Sequence, residues 1–352
     1  MTSLVVQTSF LGDIVLATPL IAELAKRGPV DVLTTPLGSA ILANSPDIRN
    51  LVVFDRRGAD RGIVGFARAV ARIRNAANGP SETGRASTDA NGSYGAAYFC
   101  QGSVRSAALV IAAGVRNRIG FNTSAGRRLY TEIVDYRFDK HHAERLWWLS
   151  MSACADPPSR EQIAPRLFPS ARDNDAVDLV LREHLTDSNR PFVALAPGAA
   201  WGTKRWPFYG DLAAMIGSRA NVVIVGGKED IAAADAIVAQ LPRGRAANAA
   251  GRLSLLGSAA MIGRAVALVA NDSAPQHLGS AMNTPTITIF GPTAPSFGFG
   301  PLAEKSVVVE NMSLACHPCD HHGPPKCPLG HWHCMRELSP SYVFELLTKT
   351  LS

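Results

Sequence analysis

The sequence predicts an α/β protein made of two doubly wound domains that face a cleft. Three observations support this prediction: short apolar, β-rich runs alternate with helical stretches, the alternation occurs twice, and a proline-rich stretch at 157–169 separates the two series. Such alternation is typical of parallel sheets covered by helices. The 352 residues suffice for two domains of ordinary size. We predict domains at 1–170 and 171–338, and a final helix at 339–352 that packs back onto the N-terminal domain.

The first series opens with a strand at 4–6, a polar turn, and a helix in which Pro19 predicts a kink or a late start. Residues 75–95 interrupt the alternation because they are rich in Asn, Gly, Ser, Thr, Ala and Pro and lack an apolar period. We interpret them as a mobile surface insertion. Further strands are predicted at 30–33, 51–54 and 97–100, with helices at 39–43, 62–74, 104–113 and 141–151. In the second series, strands are predicted at 192–196, 222–225, 266–270 and 286–290, with helices at 206–216, 231–241 and 274–282.

The composition excludes several classes of protein. Apolar residues make up 47% of the chain and charged residues 18%, which is typical of a globular protein rather than a disordered or fibrous one. No run of about 20 apolar residues is present, so the sequence predicts no membrane-spanning helix, and we expect a cytoplasmic protein. The net charge of +6 fits anionic substrates or a membrane surface but does not by itself indicate nucleic-acid binding.

Ligands of open α/β sheets bind at the carboxyl ends of the strands, where helix N-termini offer free N–H groups. The first stretch in such a position contains Asp13, which follows the opening strand and lies near a helix start. A carboxylate there could take a proton from an incoming hydroxyl. It could equally cap the helix.

The second stretch, 196–207, combines glycines with Lys204 and Arg205, and Pro207 favours a helix start at its end. Glycines let the backbone approach a ligand closely, and the two cations can neutralise phosphate charge. The G-x-x-x-x-G-K-[ST] spacing of a P-loop is missing. The alternative interpretation is a solvated basic turn.

The third stretch, 271–277, lies after another predicted strand. Asp272 and Ser273 are natural helix caps, and Pro275 suits the first turn. The helix start could bind a diphosphate while Asp272 accepts sugar hydroxyls. The alternative is an ordinary capped helix with His277 in the core. Residues 291–293 follow the next strand at the same edge of the sheet.

A cluster of a different kind lies near the C-terminus. Cys316, Cys319, Cys327 and Cys334 fall within 19 residues, and four thiolates are the number that a tetrahedral metal centre needs. Intervening prolines and glycines leave this loop almost without a core, so a metal would supply stability. Zinc and iron both accept four sulfurs, and neighbouring histidines could substitute as ligands. Reduced cysteines in an unmetallated loop are the alternative. Four protein ligands leave no open position, so we expect a structural metal rather than a catalytic one.

The stretches described above form an ordered set with two others, 101–106 and 118–121. The full set is 9–19, 101–106, 118–121, 197–207, 271–277 and 290–293. The set resembles glycosyltransferase family 9, the ADP-heptose:lipopolysaccharide heptosyltransferases. The Cys-Pro-Leu-x-His-x-x-Cys-Met run at 327–335 is similar to the tail of heptosyltransferase II-like members.

The resemblance implies a GT-B fold, in which two Rossmann-like domains face a cleft and the C-terminal one binds the nucleotide sugar. It also implies inverting transfer without a catalytic metal, with Asp13 as general base and Lys204 neutralising the diphosphate. Iron bound by four cysteines occurs among related protein-modifying heptosyltransferases, so iron stands beside zinc. The implied donor-binding residues are Thr203, Lys204, Arg205, Asp272, Ser273, Ala274, His277 and Thr293, and the implied acceptor-binding residues are Ser9, Gly12, Gln101 and Arg105.

The implied partners are ADP-heptose and the lipopolysaccharide inner core, with peripheral contact to the inner membrane surface and no nucleic acid. Basic residues of the first domain could meet this acidic glycolipid, and the candidates are Arg56, Arg57, Arg61, Arg105, Arg127 and Arg128. The sequence departs from the family pattern at 75–95 and at 274–276. Two alternatives remain: a GT-B enzyme that uses another nucleotide sugar or a protein acceptor, and a non-enzymatic zinc module that binds nucleic acid.

Overall fold

Each half of the chain forms a six-stranded parallel sheet in the computed structural model, which describes residues 1–79 and 93–351. The halves are two units, Met1–Pro165 and Arg166–Ser352. The sequence prediction places the boundary slightly later, after residue 170.

The sheet of the first unit is built around an apolar central strand. Its strands are Ser3–Gln7 (β1), Val30–Thr34 (β2), Asn50–Val53 (β3), Ala96–Phe99 (β4), Arg118–Phe121 (β5) and Glu132–Val134 (β6). Their order across the sheet is β3-β2-β1-β4-β5-β6. Val6 of β1 pairs with Leu33 on one side and Phe99 on the other, and all three are fully buried. Burial on both faces is expected for a parallel sheet covered by helices.

The helices of the first unit alternate with the strands along the chain or follow the last strand. They are Leu11–Leu16 (α1), Thr18–Ala25 (α2), Pro36–Ile41 (α3), Gly62–Ala77 (α4), Val104–Ala112 (α5), His142–Trp147 (α6) and Arg160–Ile163 (α7). The helical hydrogen-bonding pattern is interrupted at Ala17, between α1 and α2, and Pro19 lies in the first turn of α2. A proline is tolerated there because its missing N–H has no intrahelical partner to lose. The structure therefore contains a late helix start and not a kink.

The second unit repeats the arrangement. Its strands are Phe192–Ala196 (β7), Asn221–Ile224 (β8), Ala246–Asn248 (β9), Ala267–Asn271 (β10), Thr286–Ile289 (β11) and Ser306–Val309 (β12), in the order β12-β11-β10-β7-β8-β9. Its helices are Ala171–His184 (α8), Tyr209–Gly217 (α9), Ile231–Val238 (α10), Leu255–Arg264 (α11), Ala274–Ala281 (α12), His333–Arg336 (α13) and Pro340–Leu351 (α14).

Both sheets have the order 3-2-1-4-5-6 when each is numbered from its own first strand. This is the order of doubly wound nucleotide-binding domains, in which ligands bind at the topological switch point, outside the carboxyl ends of the first and fourth strands. These strands are β1 and β4 in the first unit and β7 and β10 in the second. Polar residues that follow these four strands are therefore the candidates for function.

The C-terminal helix belongs to the second unit, which corrects the prediction that it packs back onto the N-terminal domain. Val343 and Leu347, one turn apart on α14, are buried in the core of the second unit, and the helix packs against α9 and β12. The apolar face of α14 is therefore buried in the core of its own unit.

The described ends of the predicted insertion at 75–95 differ from a mobile surface loop. Residues 75–77 continue α4. Tyr94 is only 2% exposed, and its hydroxyl donates to Asp31 at 2.7 Å. A tyrosine can be buried in this way because its polar tip finds a partner while its ring fills the core. Residues 80–92 lie outside the described residues.

None of the helices within the described ranges combines the length and the apolar composition that a bilayer crossing requires.

The fold allows a stability prediction at Asp31, which is fully buried in β2. Arg49 donates to its carboxylate at 2.9 and 2.7 Å, in addition to the bond from Tyr94. Arg49→Met leaves the buried carboxylate without its cation, so we expect the free energy of unfolding to fall by about 3–5 kcal/mol. The control is Lys349→Met, which breaks an exposed pair with Glu345 and should leave the free energy of unfolding nearly unchanged. Similar urea unfolding curves for the two variants would contradict the prediction.

Candidate active site

The loop after β1 holds Asp13 in a defined orientation. Asp13 lies in the first turn of α1, whose N-cap position is occupied by Phe10, so Asp13 is not the cap residue. The Ser9 hydroxyl lies 2.8 Å from the Asp13 carboxylate and 2.8 Å from the Gln7 side-chain oxygen. The Gln7 amide in turn donates to the Asp13 carbonyl at 3.2 Å. The carboxylate is therefore half-buried and oriented by Ser9.

The end of β4 supplies the neighbours of this carboxylate. Gln101 donates from its amide nitrogen to the Thr8 hydroxyl, and the same nitrogen lies 3.2 Å from the Ser106 hydroxyl. Burial, reinforced by the charge of Asp13, raises the pKa of the Cys100 thiol. Cys100 therefore stays protonated at neutral pH and is a poor nucleophile.

The remaining predicted acceptor residues occupy different surroundings. Gly12 lies within α1, directly before Asp13. Arg105 is exposed, with its guanidinium 5.3 Å from the centre of the Phe54 ring and one nitrogen 3.3 Å from the Asp60 carbonyl. The structure therefore connects Ser9 and Asp13 by a direct bond, whereas Arg105 contacts the region after β3.

In the second unit, three polar side chains converge on Asp272, which follows β10. Lys204, in the loop after β7, donates to one carboxylate oxygen at 2.6 Å. The Thr293 hydroxyl, after β11, donates to the same oxygen at 2.7 Å. Gln276 donates to the other oxygen at 2.8 Å. This cluster places a cation at the switch point of the second sheet, where an anionic phosphate ligand would bind.

Asn271, the last residue of β10, fixes the loop that carries Lys204. Its side-chain oxygen accepts from the Trp206 backbone N–H at 3.1 Å and lies 3.2 Å from the Tyr209 hydroxyl. Its side-chain nitrogen donates to the Pro197 carbonyl at 2.8 Å. One fully buried amide thus holds both the start and the end of the loop from β7 to α9.

The other predicted donor residues are placed around this centre. Ser273 is the N-cap residue of α12, and its hydroxyl lies 3.3 Å from the Gly198 carbonyl. Ala274 is the first residue of α12, and His277 lies buried on the same helix. The side chains of Thr203 and Arg205 are turned to backbone carbonyls: Thr203 donates to Pro324 and Arg205 to Ala199.

The sequence places Asn271 and Gln276 in the candidate stretch 271–277, but it predicts no role for either side chain. Gln276 was detectable, because it lies four residues after Asp272, where side chains on one helix face meet. Asn271 gives no such signal, because its partners Pro197, Trp206 and Tyr209 lie more than 60 residues away along the chain.

The four clustered cysteines lie within electrostatic reach of one another. Burial, followed by the charges of Cys319, Cys327 and Cys316, raises the pKa of Cys334 to about 11. Burial and the charges of Cys316 and Cys327 also raise the pKa of Cys319. Burial acts to raise the pKa of Cys327 as well, but backbone N–H groups from Leu329 to Trp332 outweigh it and lower the pKa. Among the described residues, no three His, Cys, Asp or Glu side chains form a group that could hold a metal ion.

Comparisons with known proteins find heptosyltransferases. The chain is 26% identical over 325 residues to lipopolysaccharide heptosyltransferase 2 of Escherichia coli K12, which covers 88% of each chain. Among solved structures, E. coli ADP-heptose LPS heptosyltransferase II shares the fold with a TM-score of 0.76 at 22% identity, covering 100% of this chain and 98% of that one. The iron-containing dodecameric glycosyltransferase TibC of enterotoxigenic E. coli matches with a TM-score of 0.55 at 15% identity, covering 99% of this chain and 75% of that one.

The fold and the matches to known proteins show that the chain is a glycosyltransferase. The model of glycosyltransferase family 9 (heptosyltransferase) matches residues 90–333, and the chain belongs to that family.

Proposed function

We propose that the protein transfers a heptose from ADP-heptose to the inner core of lipopolysaccharide, with inversion at the anomeric carbon. The observation that carries this proposal is the lysine held at the switch point of the second sheet, in a chain of the heptosyltransferase family. The names of the relative and of the structural neighbour, a lipopolysaccharide heptosyltransferase and an ADP-heptose enzyme, support this donor and acceptor. The reaction proposed here takes place in the cytoplasm.

In this mechanism Asp13 takes the proton of the acceptor hydroxyl as its oxygen attacks the anomeric carbon and the bond to the diphosphate breaks. Asp13 suits the role because its carboxylate is half-buried and is oriented by the Ser9 hydroxyl at 2.8 Å. Ser9, Gly12 and Gln101 shape the acceptor site around it, and Arg105 contributes positive charge at its edge.

The departing ADP gains negative charge on its diphosphate as the glycosidic bond breaks. Lys204 stabilises this charge, and the N–H groups at the start of α12, from Ser273 and Ala274, add the favourable end of a helix dipole. Asp272 orients Lys204, and Thr293 and His277 complete the surroundings of the donor. Thr203 and Arg205 act through the conformation of the loop, since their side chains bind backbone carbonyls.

The proposal predicts the behaviour of Asp13→Asn, which keeps the size of the side chain but removes the base. We expect turnover to fall by about 10²–10⁴-fold with little change in donor affinity. Transfer is measured by the mass of an inner-core acceptor, which gains one heptose when incubated with ADP-heptose and enzyme. Asp211→Asn, at an exposed first-turn aspartate of α9, is the matched control and should be unaffected.

The outcomes of this assay separate the parts of the proposal. Loss of donor affinity in Asp13→Asn would give Asp13 a binding role instead. Hydrolysis of ADP-heptose to ADP without a heptosylated product would support the assignment of the donor and contradict the assignment of the acceptor. Activity only with UDP-sugars would remove ADP-heptose as the donor.

We further propose that the first unit contacts an anionic membrane surface through the start of α4. Ile63 and Val64 in its first turn are 88% and 71% exposed. Exposed arginines lie close to them along the chain, while the carboxylates of Asp55 and Asp60 are engaged with backbone N–H groups or with Arg72. These arginines are Arg56, Arg57, Arg61 and Arg68. Apolar side chains framed by basic ones suit the headgroup boundary of an anionic bilayer.

This proposal predicts binding to phosphatidylglycerol vesicles that weakens with salt and is much lower on neutral vesicles. Ile63→Ser with Val64→Ser should reduce sedimentation with the anionic vesicles by about tenfold, since burying these side chains supplies part of the affinity. Met312→Ser, at an apolar side chain 78% exposed in the second unit, is the control. Equal binding of both variants, or of both vesicle types, would contradict the proposal.

We also propose that Cys316, Cys319, Cys327 and Cys334 bind one structural zinc or iron ion. The number and spacing of the four cysteines support this, as does the iron-containing neighbour TibC. The described side chains do not stand in a ligand group, so binding requires the cysteine side chains to turn toward one another. A thiolate tetrahedron would add stability to a segment that holds few apolar side chains.

Metal analysis of the purified protein tests this assignment, with an expected content of about one zinc or iron per chain. Cys319→Ser and Cys327→Ser should lose the metal. Cys154→Ser, at an exposed cysteine outside the cluster, should keep it. Protein purified without chelator that holds no metal would remove the assignment.

A further inference from the structure

The Cys-rich segment, residues 316–334, packs against the loop that carries Lys204. The Thr203 hydroxyl donates to the Pro324 carbonyl, and the Trp332 indole N–H donates to the Thr203 carbonyl at 2.8 Å. The hydroxyl and the carbonyl of Thr203 are thus both bound by the segment, and Thr203 is buried. The residue directly before Lys204 is therefore fixed by contacts that come from more than 120 residues further along the chain.

The same segment also holds the loop that carries Thr293. The Pro292 carbonyl accepts from the backbone N–H groups of Cys319 and Asp320, at 2.9 and 3.2 Å. The His317 ring lies 2.8 Å from the Gly291 carbonyl. The segment thus contacts both loops whose side chains meet on one oxygen of Asp272.

Gly323 lies at the point of closest approach. It is buried with a φ of +89°, and the Asp320 carboxylate accepts its backbone N–H at 2.7 Å. A methyl group at this position would lie 3.1 Å from Lys204 Cε, 3.2 Å from Lys204 Cγ and 3.3 Å from a carbon of Pro292. The aliphatic stem of Lys204 therefore packs directly on the backbone of Gly323.

Trp332 adds a second indication that this arrangement is enforced. It has a φ of +53°, a conformation that bulky side chains adopt only where the surrounding structure holds them there. Its indole is turned onto the core of the second unit and onto Thr203.

We propose that the Cys-rich segment is a brace that positions Lys204, with Gly323 and Trp332 as its positioning residues. The brace fixes the turn before Lys204 and restricts the conformations of the lysine side chain. The ammonium group therefore stays bound to Asp272, at the position where we propose that the diphosphate binds. This inference rests on the proposed role of Lys204. A sub-ångström displacement at such a site is costly, since about 1 Å can reduce a rate by about 10²-fold.

The test uses two glycines of this segment in the full-length enzyme. Gly323→Ala and Gly330→Ala both place a side chain at a positive φ, but at Gly330 no atom lies within 4 Å of the added methyl. Both variants therefore carry similar backbone strain, and only Gly323→Ala pushes Lys204. We expect Gly323→Ala to lower kcat/KM for ADP-heptose by about 3–10-fold, and Gly330→Ala to stay within about twofold of the unmodified enzyme.

A double-mutant cycle with Lys204→Ala distinguishes positioning from a general structural effect. Lys204→Ala alone should weaken donor binding and slow transfer together. In that background Gly323→Ala should cause no further loss, because the group that it displaces is gone. Trp332→Phe, which removes the bond to Thr203 but keeps an aromatic ring, should behave like Gly323→Ala and serves in its place if that variant does not fold.

The outcomes separate this inference from the proposed function. If Lys204→Ala slows transfer while Gly323→Ala and Trp332→Phe match Gly330→Ala, the brace is wrong and the role of Lys204 stands. The brace would also be wrong if Gly323→Ala caused the same loss of activity in the Lys204→Ala background as it causes in the unmodified enzyme. Unchanged turnover of Lys204→Ala would overturn both.

Discussion

The site of the second unit depends on the ion pair between Lys204 and Asp272. Only 12% of the lysine side chain and 10% of the aspartate side chain are exposed, so both charges are largely withdrawn from water. Such a pair is maintained only where further hydrogen bonds offset the desolvation. Thr293 and Gln276 supply them from the loop after β11 and from the first turns of α12. The pair therefore joins the ends of β7, β10 and β11, and it fixes where positive charge is offered to a ligand.

Two further sets of polar contacts hold the loop that carries Lys204. Asn271, the neighbour of Asp272 in the chain, binds the backbone of this loop at Pro197 and Trp206. The Cys-rich segment binds the same loop at Thr203. Because buried polar groups are expensive when unsatisfied, each of these bonds restricts the loop to one arrangement. A flexible lysine is in this way converted into a fixed charge.

The first unit shows that a buried charge does not by itself indicate function. Asp31 is more deeply buried than Asp13, and it is paired with Arg49 and Tyr94, yet it lies opposite Leu4 in the interior of the sheet. Asp13 lies in the loop after β1, at the switch point, where a ligand can reach it. Position in the topology, rather than burial or pairing, distinguishes the candidate base from the structural carboxylate.

The sequence by itself determined the central strands, the helices after them and the loops that carry Asp13, Lys204 and Asp272, because strand, turn and helix signals are local. It did not predict β5, β6, β9 and β12, which are only three or four residues long. Strands this short carry little local signal, and they form because a neighbouring strand offers hydrogen bonds. Only the tertiary structure decided that Lys204 meets Asp272, 68 residues away, and that Thr203 meets Pro324. Contacts at such separations depend on how loops converge at a sheet edge, and no spacing along the chain encodes that convergence.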